Sequence, residues 1–135
     1  MKKVRVRSNA VAEAPPGLWS NCLTVGPMIY IAGLTSRAPD GKAVLGSDEY
    51  SQSKIIFQKI KDLVVSAGGN MDDIVKLTIF VTNIANNSEV WRARKEFFSG
   101  DFPTCSLVEV KALAHPSILI EIEGVAYRGC SDAAA

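Results

Sequence analysis

Phe102-Pro103-Thr104-Cys105-Ser106-Leu107-Val108-Glu109-Val110 reads as a strand that starts just after its proline, where the missing N–H is tolerated. Along it Cys105, Leu107, Glu109 and Lys111 point one way, and Ser106, Val108 and Val110 the other. A turn follows around Ala114-His115-Pro116-Ser117, and Ile118 to Ala126 reads as the next strand. There Ile118, Ile120 and Ile122 make the core face, leaving Leu119, Glu121 and Glu123 on the opposite face. A hairpin around Ala114 is expected to lay that acidic row beside the Cys105 row.

Working back from this segment, Asn86-Asn87-Ser88 offers caps for a helix running to about Ser99. Before it, Val75 to Val81 alternates as a strand with Val75, Leu77, Ile79 and Val81 on one side. Ser47 or Asp48 caps an earlier helix. Its stripe of Ile56, Ile60, Leu63 and Ala67, flanked by Phe57 and Val64, ends at Gly68-Gly69. Asp48 and Glu49 place negative charge at the positive end of that helix. Pro39-Asp40-Gly41 marks a turn, and Asn21–Val25 and Met28–Ala32 form a hairpin at Gly26-Pro27. The basic, alternating Met1–Arg7 segment reads as an edge strand, Glu13–Gly17 as a loop, and the 129–135 tail is expected to fray.

The order β-β-β-α-β-α-β-β predicts an α+β fold, a mixed sheet with both helices on one face, in a single domain over residues 1–135. The sheet's other face is expected to carry Phe80, Leu107, Leu119 and Val125. That is too apolar for open water, so another copy of the chain is expected to cover it.

Lysine and arginine total 15 against 14 acids, a net charge of +1, so no global field attracts nucleic acid or an anionic membrane. No apolar run approaches the ~18 residues of a membrane span. The N-terminal stretch lacks the apolar region of a secretory signal. Three cysteines, Cys22, Cys105 and Cys130, show no metal-type spacing, which fits a reducing cytoplasm. There is no metal-ligand cluster and no phosphate-binding glycine loop, so no cofactor is expected.

Chemistry has few places to sit. Arg94 falls in the middle of an apolar helix face made by Val90, Trp91, Phe97 and Phe98. A guanidinium there needs a carboxylate such as Glu121, a carbonyl or a ligand anion; alternatively its stem lies on the core with its head in water. Cys105 is expected to be partly exposed, but no histidine accompanies it at a recognisable spacing, and His115 reads as a solvated turn residue. Glu109 and Glu123 either help form a polar cleft or simply meet lysines and solvent. Trp19, beside the Pro-Pro-Gly loop, either walls a pocket or packs.

Several pieces in this order resemble one family over about Ser8 to Tyr127. They are Ala14-Pro15 with Gly17, Tyr30-Ile31-Ala32-Gly33, Gln52, and Ala67-Gly68 followed by Asp72 to Phe80. Phe97-Phe98, Phe102-Pro103-Thr104 with Ser106 to Val110, and Ile120 to Ala126 complete the set. The chain resembles the RidA (YjgF) family, and Ser36 to Asp40 with His115 to Ile122 look most like its 2-aminomuconate deaminase branch.

That resemblance implies a chorismate-mutase-like fold, a homotrimer with clefts between subunits, and hydrolytic deamination of reactive enamines and imines. It implies that Glu121 positions or activates water. It places Trp19, Ala32, Gly33, Trp91 and Leu107 around a small-molecule substrate. Where the family has a carboxylate-binding arginine this chain has Cys105, a second candidate for the chemistry, and Trp91 aligns with a pocket asparagine. Losing a bidentate charge-assisted pair weakens affinity for a small imino acid, and two indoles fit a flatter ligand. Arg94, or Arg92 beside it, is the expected relocated anion site. A non-catalytic metabolite-binding trimer is the alternative to a deaminase. A ribonuclease, an activity attached by name to part of the family, is disfavoured by the near-neutral charge.

Overall fold

The computed structural model describes residues 1–131, whose strands form one six-stranded sheet. β1 (Lys3–Arg5), β2 (Cys22–Val25) and β3 (Met28–Leu34) precede helix α1 (Glu49–Ser66). β4 (Ile74–Val81), α2 (Asn87–Arg94), β5 (Thr104–Glu109) and β6 (Ile120–Tyr127) complete the order. The strands lie as β1-β2-β3-β6-β4-β5, antiparallel except for the parallel β4–β5 pair. Ile29, Ile31, Leu77, Ile79, Ile120 and Ile122 share one core with Ile56, Phe57, Ile60 and Leu63 of α1 and Val90 and Ala93 of α2. Both helices therefore cover the same sheet face, as expected for the α+β class.

Helix α1 forms where its caps and stripe put it. The Asp48 carboxylate accepts from the Ser51 N–H at 2.8 Å, and Ser51 completes the reciprocal box with the Asp48 backbone. At the other end Gly68 takes φ +88, and the Gly68 and Gly69 N–H groups close back on the Val65 and Val64 carbonyls. Gln52, fully buried in the first turns, donates to the carbonyls of Gly46 (3.1 Å) and Ser117 (2.8 Å) and accepts from the Leu119 N–H (2.9 Å). One side chain thus fixes the turn before α1 and the entry to β6.

Five expectations are corrected. The Cys105 and Glu121 rows are not joined by a hairpin: β4 lies between β5 and β6, and β5 runs parallel to β4. Leu107 is not on the open face. It pairs with Ile79 and packs with Cys105 against the helix-side core. In β4 a bulge at Val75 sets two residues against one step of β6, so Ile74 turns inward and Val75 is exposed.

Helix α2 starts after its N-cap Asn86, whose side-chain amide donates to Glu49 instead of making a cap bond, and it stops at Arg94 rather than about Ser99. The tail does not fray at its start: the Asp73 carboxylate accepts from the Gly129 N–H and from the Ser131 N–H and hydroxyl. The rest of the tail, 132–135, lies outside the described residues.

The open face carries Tyr30, Phe80, Val108, Val125 and Tyr127 between Glu121, Glu123 and Lys76. Tyr30, Val108 and Tyr127 are exposed. No helix among the described residues is long and apolar enough to cross a membrane.

The Gln52 clamp predicts a measurable cost. Gln52→Leu leaves two carbonyls and one N–H without their partner, at about 1–3 kcal/mol for each group that stays buried. Chemical denaturation is expected to show a loss of about 3 kcal/mol. A loss below about 1 kcal/mol would show that water replaces the amide.

Candidate functional site

The site grows from an irregularity in β3. Between Ile31 and Leu34 this strand advances three residues while β6 advances two, from Gly124 to Ile122, so Ala32-Gly33 bulges. A Cβ built on Gly33 would lie 2.6 Å from Oε2 of Glu121. Glycine here is a space requirement: the Glu121 carboxyl lies against bare backbone. Opposite Phe80 in β4, Glu121 projects from the open face.

Glu121 is half-buried and makes no ion pair among the described residues. Burial first, and the charge of Glu123 second, push its carboxyl above the usual range. It borders a cavity of about 390 Å³ shared with Trp19, Gly33, Arg37, Lys59 and Ile118. The Trp19 indole N–H donates to the Asn21 side chain at 3.1 Å, and the Asn21 amide donates to the Ala12 carbonyl at 2.8 Å. That chain of bonds holds the half-exposed ring on the rim. A larger concavity of about 550 Å³, around Ser99 to Thr104 and Ser131, contains none of the candidate residues.

Trp19, Gly33 and Glu121 are therefore together, with Ala32 beside them on the bulge. The other candidates are elsewhere. Cys105 and Leu107 sit on the helix side of edge strand β5. The Arg94 guanidinium carbon lies 4.3 Å from the Trp91 ring centroid and 5.4 Å from that of Phe102, and its Nε is buried with no hydrogen-bond partner among the described residues. The expected Arg94–Glu121 pair is not made within one chain, because the two residues lie on opposite sides of the sheet.

Arg92 is occupied, bonded to Glu89 at 2.6 Å and stacked 3.5 Å over the Tyr50 ring. Burial raises the Cys105 thiol above its ordinary value, and Arg94 offsets that only partly, so at neutral pH this sulfur is a protonated wall. Glu109 accepts from the Ile84 N–H at 3.0 Å instead of meeting a lysine. His115 is the exposed turn residue expected, its Nδ1 accepting from the Ser117 N–H.

A family model described as Endoribonuclease L-PSP matches residues 9–128. The chain belongs to the RidA family. A Dermatophagoides farinae relative, 2-iminobutanoate/2-iminopropanoate deaminase, is 28% identical over 125 residues, covering 93% of this chain and 97% of that protein. The crystal structure of the Rid-family protein YyfA from Yersinia pestis, of unknown function, is similar at TM-score 0.84 and 32% identity, over 93% of this chain and 99% of the other. Escherichia coli TdcF, solved with bound serine, superposes at TM-score 0.84 with 26% identity, over 93% and 99%.

Within this RidA-family cavity the sequence reading missed Arg37 and Lys59. Lys59 left a trace, a lysine within the apolar stripe between Ile56 and Leu63. Arg37 stood in the Ser36–Asp40 piece that resembles one branch of the family, but without a site role, since its position depends on how the Ser36–Leu45 turn folds back through the Arg37–Val44 bridge.

The raised Glu121 carboxyl predicts a pH-dependent stability difference. Its contribution is complete below the unfolded-state value and is lost as pH rises through the folded one. Glu121→Gln, which has no charge to bury, is expected to melt higher than the parent at about pH 8 and equally at about pH 4. A parent that melts higher at about pH 8 would show that the carboxylate is stabilised in the fold.

Proposed function

We propose that this chain hydrolyses a reactive imine or enamine, releasing ammonia, with Glu121 as the group that moves protons and orients water. The observation that carries the reading is the Glu121 carboxyl itself, half-buried, raised and without an ion pair among the described residues, lying against Gly33 at the wall of a cavity. Such a carboxyl exchanges protons nearer neutrality than an exposed one. An enamine first takes a proton on carbon from solvent to become the iminium ion. Water then adds to its carbon as Glu121 takes one water proton, giving a carbinolamine. Glu121 returns that proton to nitrogen, the C–N bond breaks as the hydroxyl gives its proton to solvent and becomes the carbonyl, and ammonia leaves. The deaminase name of the mite relative supports the same chemistry. A net charge of +1 does not favour the ribonuclease in the family model's description.

The site is proposed to lie in a cleft completed by a second copy of the chain, in a homotrimer. Glu121 stands on the open face, whereas Cys105, Leu107 and Trp91 lie toward the opposite side at the β5 edge. A head-to-tail ring lays one copy's edge on the next copy's open face and covers Tyr30, Phe80 and Val125. This joins the two groups of residues that a single chain keeps apart. Among imines and enamines, the resemblance of Ser36 to Asp40 and His115 to Ile122 makes a 2-aminomuconate-type enamine the first to try.

Ammonia release from freshly generated imino acids and aminomuconate-type enamines tests the reaction. The parent is expected to accelerate at least one substrate over buffer, and Glu121→Gln to lose about 10²-fold or more. No acceleration across the panel sinks the deaminase reading and leaves the metabolite-binding alternative. Sedimentation tests the cleft: three chains are expected for the parent, and Phe80→Glu is expected to give monomers without activity. A monomeric parent with full activity would exclude the shared site.

A further inference from the structure

The cavity that holds Glu121 also holds two cations that no acid among the described residues neutralises. Arg37 borders it, and its Nη1 donates to the Lys42 carbonyl at 3.3 Å. Lys59, only 8% exposed, reaches the same wall from α1 and donates to the carbonyls of Thr35 (2.6 Å) and Arg37 (3.3 Å). Neither has a carboxylate within 4.0 Å among the described residues.

The other acid on the wall, Glu13, is already engaged by Arg5 at 2.8 Å and Arg7 at 3.6 Å. Glu121 makes no ion pair with either cation among the described residues. The cations feel each other: burial first, and the Arg37 charge second, push the Lys59 amine down to about 8. Two uncompensated positive groups in one concavity focus a field for an anion. A carboxyl with a raised proton affinity shares that concavity without quenching it.

We propose that Arg37, backed by Lys59, anchors the carboxylate of a small carboxylic acid whose other end is presented to Glu121. Arg37 has guanidinium N–H groups beyond the one given to Lys42, enough for a forked grip on a carboxylate. About 390 Å³ suits a small metabolite. Arg94, the expected anchor, borders none of the three cavities described and spends its charge on two aromatic faces. The inference rests on the deaminase reading for what the ligand presents to Glu121; the anion grip stands on the cations alone.

Pyruvate and 2-oxobutanoate, which cannot lose ammonia, probe the grip by calorimetric titration of the full chain, with neutral pyruvamide as the control. The parent is expected to bind both acids and to bind pyruvamide at least about tenfold more weakly. Arg37→Gln is expected to weaken acid binding about tenfold or more without lowering the melting temperature, and Arg37→Lys to recover part of it.

Four results would overturn the proposal: no saturable binding of either acid to the parent, equal binding of pyruvamide, an Arg37→Gln variant that binds like the parent, or loss of binding through Arg94→Gln alone. Ammonia release separates the two ideas. Acid binding that depends on Arg37 without deamination refutes the reaction and keeps the anchor. Deamination with parental kinetics in Arg37→Gln refutes the anchor alone.

Discussion

Backbone groups from two segments far apart in sequence, Gly46 O from one and Ser117 O and Leu119 N from the other, meet at the buried amide of Gln52. Burying a primary amide is unfavourable unless its oxygen and nitrogen are satisfied, and here both are. The bonds set where the chain enters β6, and that setting has a discrete consequence. Strand side chains alternate, so a slip of one residue would turn Ile120 and Ile122 outward and Glu121 into the core. The helix-side amide therefore determines which face of the sheet receives the carboxyl.

From that constraint follows the division of the molecule into two chemical surfaces. The helix face is closed by α1 and α2 and offers Cys105 only as a protonated wall. The open face has apolar side chains interrupted by Glu121, Glu123 and Lys76. At its margin the β3 bulge, Trp19 and the Ser36–Leu45 turn make the cavity. Irregular backbone contributes most of the concavity, while the regular strands hold Glu121 rigidly within it. The positive groups reach this cavity by different routes, Arg37 from the turn and Lys59 from the helix, where its buried neighbours from Ile56 to Val64 are apolar.

Sequence alone made the local elements legible because their signals are local. The α1 cap and its double-glycine stop, the Gly26-Pro27 hairpin and the apolar stripes all act within a few residues. It failed where the decision was tertiary. The inward turn of Ile74 follows from a bulge against β6, and the facing of Leu107 follows from a strand order in which β4 separates β5 from β6. An α2 shortened to Arg94 leaves Phe97 and Phe98 packing on Phe57 from outside the helix. Of the site, Glu121, Gly33 and Trp19 were readable as family pieces and do share one cavity. Arg37 lay in the Ser36–Asp40 family piece, yet neither it nor Lys59 was readable as part of this cavity, because their nearness exists only after the turn has folded onto α1.

Gly33 and Glu121 illustrate how the fold constrains change over generations. A Cβ at position 33 and a carboxyl at position 121 claim the same volume. A side chain at position 33 therefore displaces the Glu121 carboxyl from its place on the cavity wall. The two positions, separated by most of the chain, are coupled through that one volume, so the glycine sets where the acid can stand.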